Sequence, residues 1–421
     1  MIKISLISVF LLSVLYSNGQ TENVFLNRSY WKSMPSVEQI KGDIDDGNDP
    51  SEFNQHKFDP ITWAIIEGVP NTTVAFLLDQ SGNHVDKRAH DGRTPIFWAA
   101  YRGNIELMKQ LIEKGAKTDL IDDHGYSLIN FSATTGQLDI ELYDICIENG
   151  ASIDQEFNND GATPLLLIIP YLESPEMIRY FTEKGLSFDQ IDSHGNNAFV
   201  YAARTGNHQL MEFALDQGLD PRANNDAAMI FASKGTRSVE NSVEVYQYLS
   251  ALGLSVSAQD DQGMTALHHL ASQCKDTIVL DFFTSNSSDL NAKDSEGNSP
   301  WLIAVSNNEV EIINYFSQKS GIEHSVNGLG ENALHLAAKR NDSSVLDEVL
   351  KFGLDINSKR SDGMTALHIA AMKAKNDHLL KELISAGADK YILTEFKESA
   401  FDLASENEVL QSKHIPLTFL K

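Results

Sequence analysis

Three histidines, His268, His335 and His368, occupy the same place in the related stretches GMTALH, GENALH and GMTALH. Imidazoles at a regular interval suit a zinc site, and carboxylates at Asp122, Asp123, Asp160, Asp260, Asp261, Asp294 and Glu296 could offer oxygens to calcium. Distance argues against the first reading. Zinc–nitrogen bonds are about 2.0–2.1 Å long, whereas equal positions of packed helices lie about 8–10 Å apart. The histidines are therefore expected to hydrogen-bond within their own turns, and His269, in a slot held elsewhere by Leu, to be packed rather than ligating. The carboxylates do not follow the twelve-residue calcium loop, with its Gly at six and Glu at twelve. H-E-x-x-H, G-x-S-x-G, a P-loop and C-x-x-C are all absent from the sequence, and the carboxylates are too scattered to form an acid and base pair. The sequence nominates no catalytic residue, no metal and no cofactor, and the expectation is a protein that is not an enzyme.

What the histidines do mark is a period. The turn glycines Gly92, Gly125, Gly161, Gly195, Gly263, Gly297, Gly330 and Gly363 are separated by 33, 36, 34, 68, 34, 33 and 33 residues. Each is followed by a related stretch, among them RTPIFWAA, ATPLLLII, NNAFVYAA and MTALHIAA. Thr94 and Pro95 suit a helix start, Ala99 and Ala100 allow close packing, and Gly115 suits a helix end. Leu107, Met108, Leu111 and Ile112 make an apolar stripe on a second helix. Self-similarity at this period predicts stacked helical units, none of which can bury both faces alone.

These residues resemble the ankyrin repeat, most clearly in DGRTPIFWAAYRGNIELMKQLIEKGAKTD, residues 91–119, and DGMTALHIAAMKAKNDHLLKELISAGADK, residues 362–390. The resemblance implies an all-α repeat solenoid of helix-turn-helix units with β-turn fingers, about ten of them in a single elongated array. Residues 58–397 are assigned to the array and 398–421 to a C-terminal capping repeat. Residues 20–57 form an N-terminal segment whose part 37–49 reads as the second helix of a capping half-repeat. Residues 1–19 have the layout of a signal peptide: Lys3, an apolar run from Ile4 to Tyr16, then Ser17 and Gly19. That run is short for a membrane span. The expectation is a bacterial-type exported protein, periplasmic or secreted, monomeric and free of the membrane.

The formal charge of −26 argues against nucleic acid and anionic membranes, and favours a basic partner. The resemblance implies a module that binds an unidentified protein through a concave face made by the turn tips and the ends of the first helices. At those positions Tyr101, Arg102, Tyr126, Tyr171 and Arg204 form the candidate patch, since Tyr and Arg are enriched where binding energy concentrates. The alternative is an extracytoplasmic receptor for a small ligand or carbohydrate, which needs a deep aromatic-walled pocket. Burial of the four tryptophans Trp31, Trp63, Trp98 and Trp301 discriminates the two.

Three local features complete the reading. Cys146 and Cys274 fall four units apart, roughly 30–40 Å at helix-packing distances, and are expected to remain free thiols. The sequon at Asn130 falls in the histidine slot, where a glycan would obstruct stacking. Around residues 225–243, NDAAMIF replaces the turn glycine and T-P-L-H, and KGTRSVENSV adds length, so one unit has a short finger and a long loop. That is either tolerated drift or a hinge with extra contacts.

Overall fold

A computed structural model of the chain describes residues 23–236, 239–286, 289–319 and 325–421. The expected signal segment, 1–19, lies outside them. The described residues hold 24 α-helices and no strand longer than an isolated bridge; the two bridges, Ile121 with Ser127 and Gln259 with Thr265, pinch the bases of two fingers. The helices alternate as the period predicts, and they fall into two compact units, one ending at Ser152 and one running from Ile153 to Lys421.

The first unit pairs Pro60–Glu67 with Asn71–Leu78, Pro95–Tyr101 with Ile105–Glu113, and Leu128–Thr134 with Ile140–Glu148. Its first helices pack on one another in order. They start where the sequence places a cap: Asp59 accepts from the Thr62 N–H at 2.8 Å, and prolines stand at the first helical positions 60 and 95. The second helices bury one stripe each, for example Leu107, Met108 and Leu111, at roughly 1.5–3 kcal/mol for each fully buried side chain. The N-terminal segment supplies more than the expected second helix. Arg28–Lys32 precedes Val37–Asp45 and closes the end of the stack with Trp31, which is fully buried and donates its indole N–H to the Phe25 carbonyl at 2.8 Å.

Six regular pairs of the second unit follow the same plan, from Pro164–Ile168 with Glu176–Glu183 to Ala366–Lys373 with His378–Ser385, and a short pair, Ala400–Glu406 and Glu408–Ser412, ends it. Pro170 ends its first helix early, in the 3-10 turn Ile169–Tyr171. The remaining pair, Ala223–Lys234 with Val243–Ala251, third in chain order, is the irregular one. Asn224, Asn225 and Asp226 all have positive φ, 48°, 53° and 65°, and turn the chain straight into the helix without projecting a finger. Asn and Asp tolerate this left-handed region better than other residues with side chains.

His268, His335 and His368 are structural, as expected. His268 and His368 each take the backbone N–H of their capping threonine on Nδ1, at 3.0 and 3.2 Å, and reach the next unit with Nε2, 3.1 Å from the Ala292 and Ile392 carbonyls. His335 does the same with Asn332 and Met364. Burial lowers the basicity of all three. Cys146 and Cys274 are both buried and not disulfide-bonded, and burial pushes the Cys274 thiol up to about 11.

Candidate functional site

Tyr101 and Arg102 stand at the exposed end of the Pro95–Tyr101 helix, where the chain turns into its partner helix. Tyr101 is 37% exposed, and its ring lies edge-on to Trp98, at 6.2 Å between centroids, and 6.3 Å from Phe131. Its carbonyl accepts from Gln137 Nε2 of the following repeat at 2.8 Å, which fixes the helix end. The Arg102 guanidinium extends over Gly68, whose absent side chain leaves it room: a Cβ there would meet Nη2 at 3.3 Å.

Behind these two residues runs a strip of rings, of which the sequence analysis singled out only Trp63 and Trp98. Phe58 stacks on Trp63 at 4.2 Å and on His90 at 4.0 Å; His90 stacks on Trp98 at 6.4 Å, and Trp98 meets Phe131 edge-on at 6.3 Å. Trp63, Trp98 and Phe131 fill one slot, four residues after the caps Asp59, Thr94 and Ser127. Aromatic residues recurring in that slot were the available signal. Arg93 sits 4.3 Å above Phe131 and 5.5 Å from Trp98, and its Nε donates to Asp122 Oδ2 at 2.8 Å. The Asp122 carboxylate in turn takes the N–H of Tyr126 at 2.9 Å, so Arg93 links the fingertip carrying Tyr126 to the rings beneath Tyr101. Tyr101, Arg102 and Tyr126 thus belong to one connected surface of the first unit.

Tyr171 and Arg204 belong to the second unit, both half-buried. Bonds between adjacent repeats hold their surroundings: Thr205 donates to the Pro170 carbonyl at 2.9 Å and Asn207 to the Leu172 carbonyl at 2.8 Å. Arg204 donates Nε to the Gly235 carbonyl at 2.7 Å, so it also anchors the long loop of the irregular repeat.

A second group escaped the sequence reading altogether. Asn207 and Asn407 cap second helices and Asn308 stands just before the cap of one; each accepts a local N–H, yet their amide groups also reach back one repeat. Asn308 Nδ2 donates to the Ala271 and Cys274 carbonyls, both at 3.0 Å, and Asn407 Nδ2 to those of Ala371 and Ala374, again both at 3.0 Å. Asn241 makes the same clamp from the long loop, donating to the Ala232 and Arg204 carbonyls at 2.9 and 3.1 Å.

Trp31 and Trp301 are fully buried and Trp98 is 6% exposed, while Trp63 is half-buried beneath Arg28. Among the described residues no three His, Cys, Asp or Glu side chains converge to hold a metal ion, and no helix is long and apolar enough to cross a membrane. The family model for ankyrin repeats matches residues 37–122, 61–156, 96–192, 229–328 and 302–394, well over half of the chain. The chain belongs to the ankyrin repeat family. Similar ankyrin-bearing proteins include phosphocholine transferase AnkX of Legionella pneumophila, 28% identical over 57% of this chain and 23% of that protein. Ankyrin repeat protein nuc-2 of Neurospora crassa is 26% identical over 38% of this chain and 15% of its own length, and human Rabankyrin-5 is 28% identical over 37% and 14%. The chain spans about a quarter or less of these relatives. Ankyrin repeats are in general protein–protein interaction modules and typically non-catalytic.

Proposed function

We propose that this ankyrin chain is an exported, non-enzymatic scaffold or inhibitor that binds a protein partner through the concave face of its repeats, with Tyr101, Arg102, Tyr126, Tyr171 and Arg204 among the contacts. The observation that carries the reading is the Tyr101–Arg102 pair, exposed on a rigid strip of packed rings and joined through Arg93 to the fingertip of Tyr126. A rigid aromatic beside an arginine is the arrangement that concentrates binding energy at low entropic cost. The excess of 59 Asp and Glu over 33 Lys and Arg favours a partner with a basic surface. Burial of Trp31, Trp98 and Trp301 supports this reading over a small-ligand receptor, which would need such rings as pocket walls. The apolar run from Ile4 to Tyr16 supports export, to the periplasm or the exterior.

The test is affinity capture from the native extracytoplasmic fraction. Mature protein from Gln20 onward is compared with the Tyr101→Ala, Arg102→Ala, Arg204→Ala variant. A protein held by the first and lost by the second is the expected result. Equal capture by both moves the contact surface elsewhere, and capture by neither favours the small-ligand receptor.

A further inference from the structure

The fingertips of the second unit are joined by a repeating backbone bond. The N–H of Ser193 donates to the Asp160 carbonyl at 2.7 Å, that of Ser295 to Gln262 at 2.7 Å, Gly328 to Glu296 at 2.8 Å, Ser361 to Leu329 at 2.8 Å and Glu395 to Asp362 at 3.0 Å. Among the described residues no such bond joins the tip at Ser193 to the next finger, because Asn224, Asn225 and Asp226 turn back before a finger forms. The interval is an open cleft of about 820 Å³.

Its floor is aromatic. Tyr201 and Phe231 meet edge-to-face at 5.3 Å, and burial together with Asp192, which accepts from the Tyr201 hydroxyl at 3.0 Å, keeps the phenol protonated. Its walls are carboxylates: Asp160 and Asp192 from one side, Asp260 and Asp261 from the other. The side chains of Asp160 and Asp261 are 61% and 79% exposed, and His194 lies between them, with Nδ1 2.9 Å from Asp261. One lysine, Lys234, reaches Asp260 at 3.3 Å. His269 adds no positive charge at neutral pH, because burial and Lys234 push it down to about 4; its Nε2 lies 3.1 Å from Asp260.

We propose that this cleft receives an arginine side chain presented by the protein partner, with the guanidinium on the exposed carboxylates of Asp160 and Asp261, beside His194, and over the Phe231 ring. A planar cation beside carboxylates gains charge-assisted hydrogen bonds, and over an aromatic face it gains the ring's electrostatic attraction. The cleft falls within the usual size range of ligand pockets, about 300–1,000 Å³, and leaves room for the short segment that carries the arginine. The proposal rests on the protein-binding reading, yet its test needs no partner, so the two can fail separately.

The test titrates the full chain, with ring-labelled histidine, against the peptide acetyl-Gly-Arg-Gly-amide, using the neutral citrulline peptide as control. His194 and His269 resonances, assigned with His194→Gln and His269→Gln, are expected to shift with the arginine peptide alone. Asp160→Asn with Asp261→Asn, both at exposed positions, should weaken binding by about fivefold, the order expected for two partly exposed charge contacts. Lys234→Ala, which removes the competing cation, should strengthen it. Equal shifts with the citrulline peptide, no shift at millimolar arginine peptide, or unchanged affinity in the double variant would overturn the proposal.

Discussion

Nε2 of His368 lies 3.1 Å from the carbonyl oxygen of Ile392, while Nδ1 of the same ring lies 2.8 Å from the hydroxyl of Thr365. One neutral imidazole therefore closes the cap of its own helix and fastens the loop of the following repeat. The same ring position recurs at His268 and His335.

Protonation must break this arrangement. Folding depresses the basicity of His268, His335 and His368, and of His269 to about 4, so below the ordinary histidine pKa the unfolded chain binds more protons. Stability of the second unit is full above about pH 6.5 and falls as pH drops toward 4, with His269 alone contributing on the order of 3 kcal/mol. Urea unfolding at a series of pH values checks this. His269→Gln should remove the largest single share of the dependence, and a flat profile between pH 7 and 4.5 would refute it.

Replacing Asn308 tests the clamp between repeats. Asn308→Ala strands the Ala271 and Cys274 carbonyls, which are otherwise satisfied in a buried setting, and should cost roughly 2–4 kcal/mol. Serine at the same position can still accept the Glu309 N–H but cannot reach both carbonyls, so it should recover only the smaller part. Full recovery by serine would show that the local bond to Glu309 alone matters.

Asn130 stands where other repeats hold histidine, is fully buried, and has neither amide oxygen nor nitrogen hydrogen-bonded. Asn130→His should stabilise the first unit by about 1 kcal/mol, by supplying a ring nitrogen to the cap at Ser127. Thermal unfolding reads the change. Such burial also bars a glycan from this position in the folded chain.

The long loop of the irregular repeat is fastened by Asn241 and by Arg204 at Gly235. Amide hydrogen exchange at the start of the Val243–Ala251 helix should therefore be no faster than at neighbouring helices, and Asn241→Ala should accelerate it at least severalfold. Fast exchange in the unaltered chain would instead identify a hinge.

The repeated turn glycines and T-P-L-H stretches made the helix pairs legible, because those residues act locally: caps, first-turn prolines and left-handed ends are written where they operate. The Arg28–Lys32 helix was missed although Asn27 caps it, accepting the Ser29 N–H at 3.0 Å, because five residues are too short to show a helical period. Its place depends on Trp31 finding the Phe25 carbonyl, a tertiary event. Asn308 reads as an ordinary residue of the turn between two helices until its bonds to carbonyls more than thirty residues back are seen. Tyr101 and Arg102 were readable as surface residues of a helix end, but the rings of Phe58, His90 and Trp98 behind them were not, since each looks like simple core in its own repeat.

The tip-to-tip bonds have a mechanical sense as well. Where they run unbroken, from Gln262 through Glu395, a push on one tip is passed along a braced rail; between Ser193 and Gln262 the brace is missing. The second unit therefore carries a joint in its railing, and a segment seated there would act as a splint, stiffening from outside what the chain itself leaves unbraced.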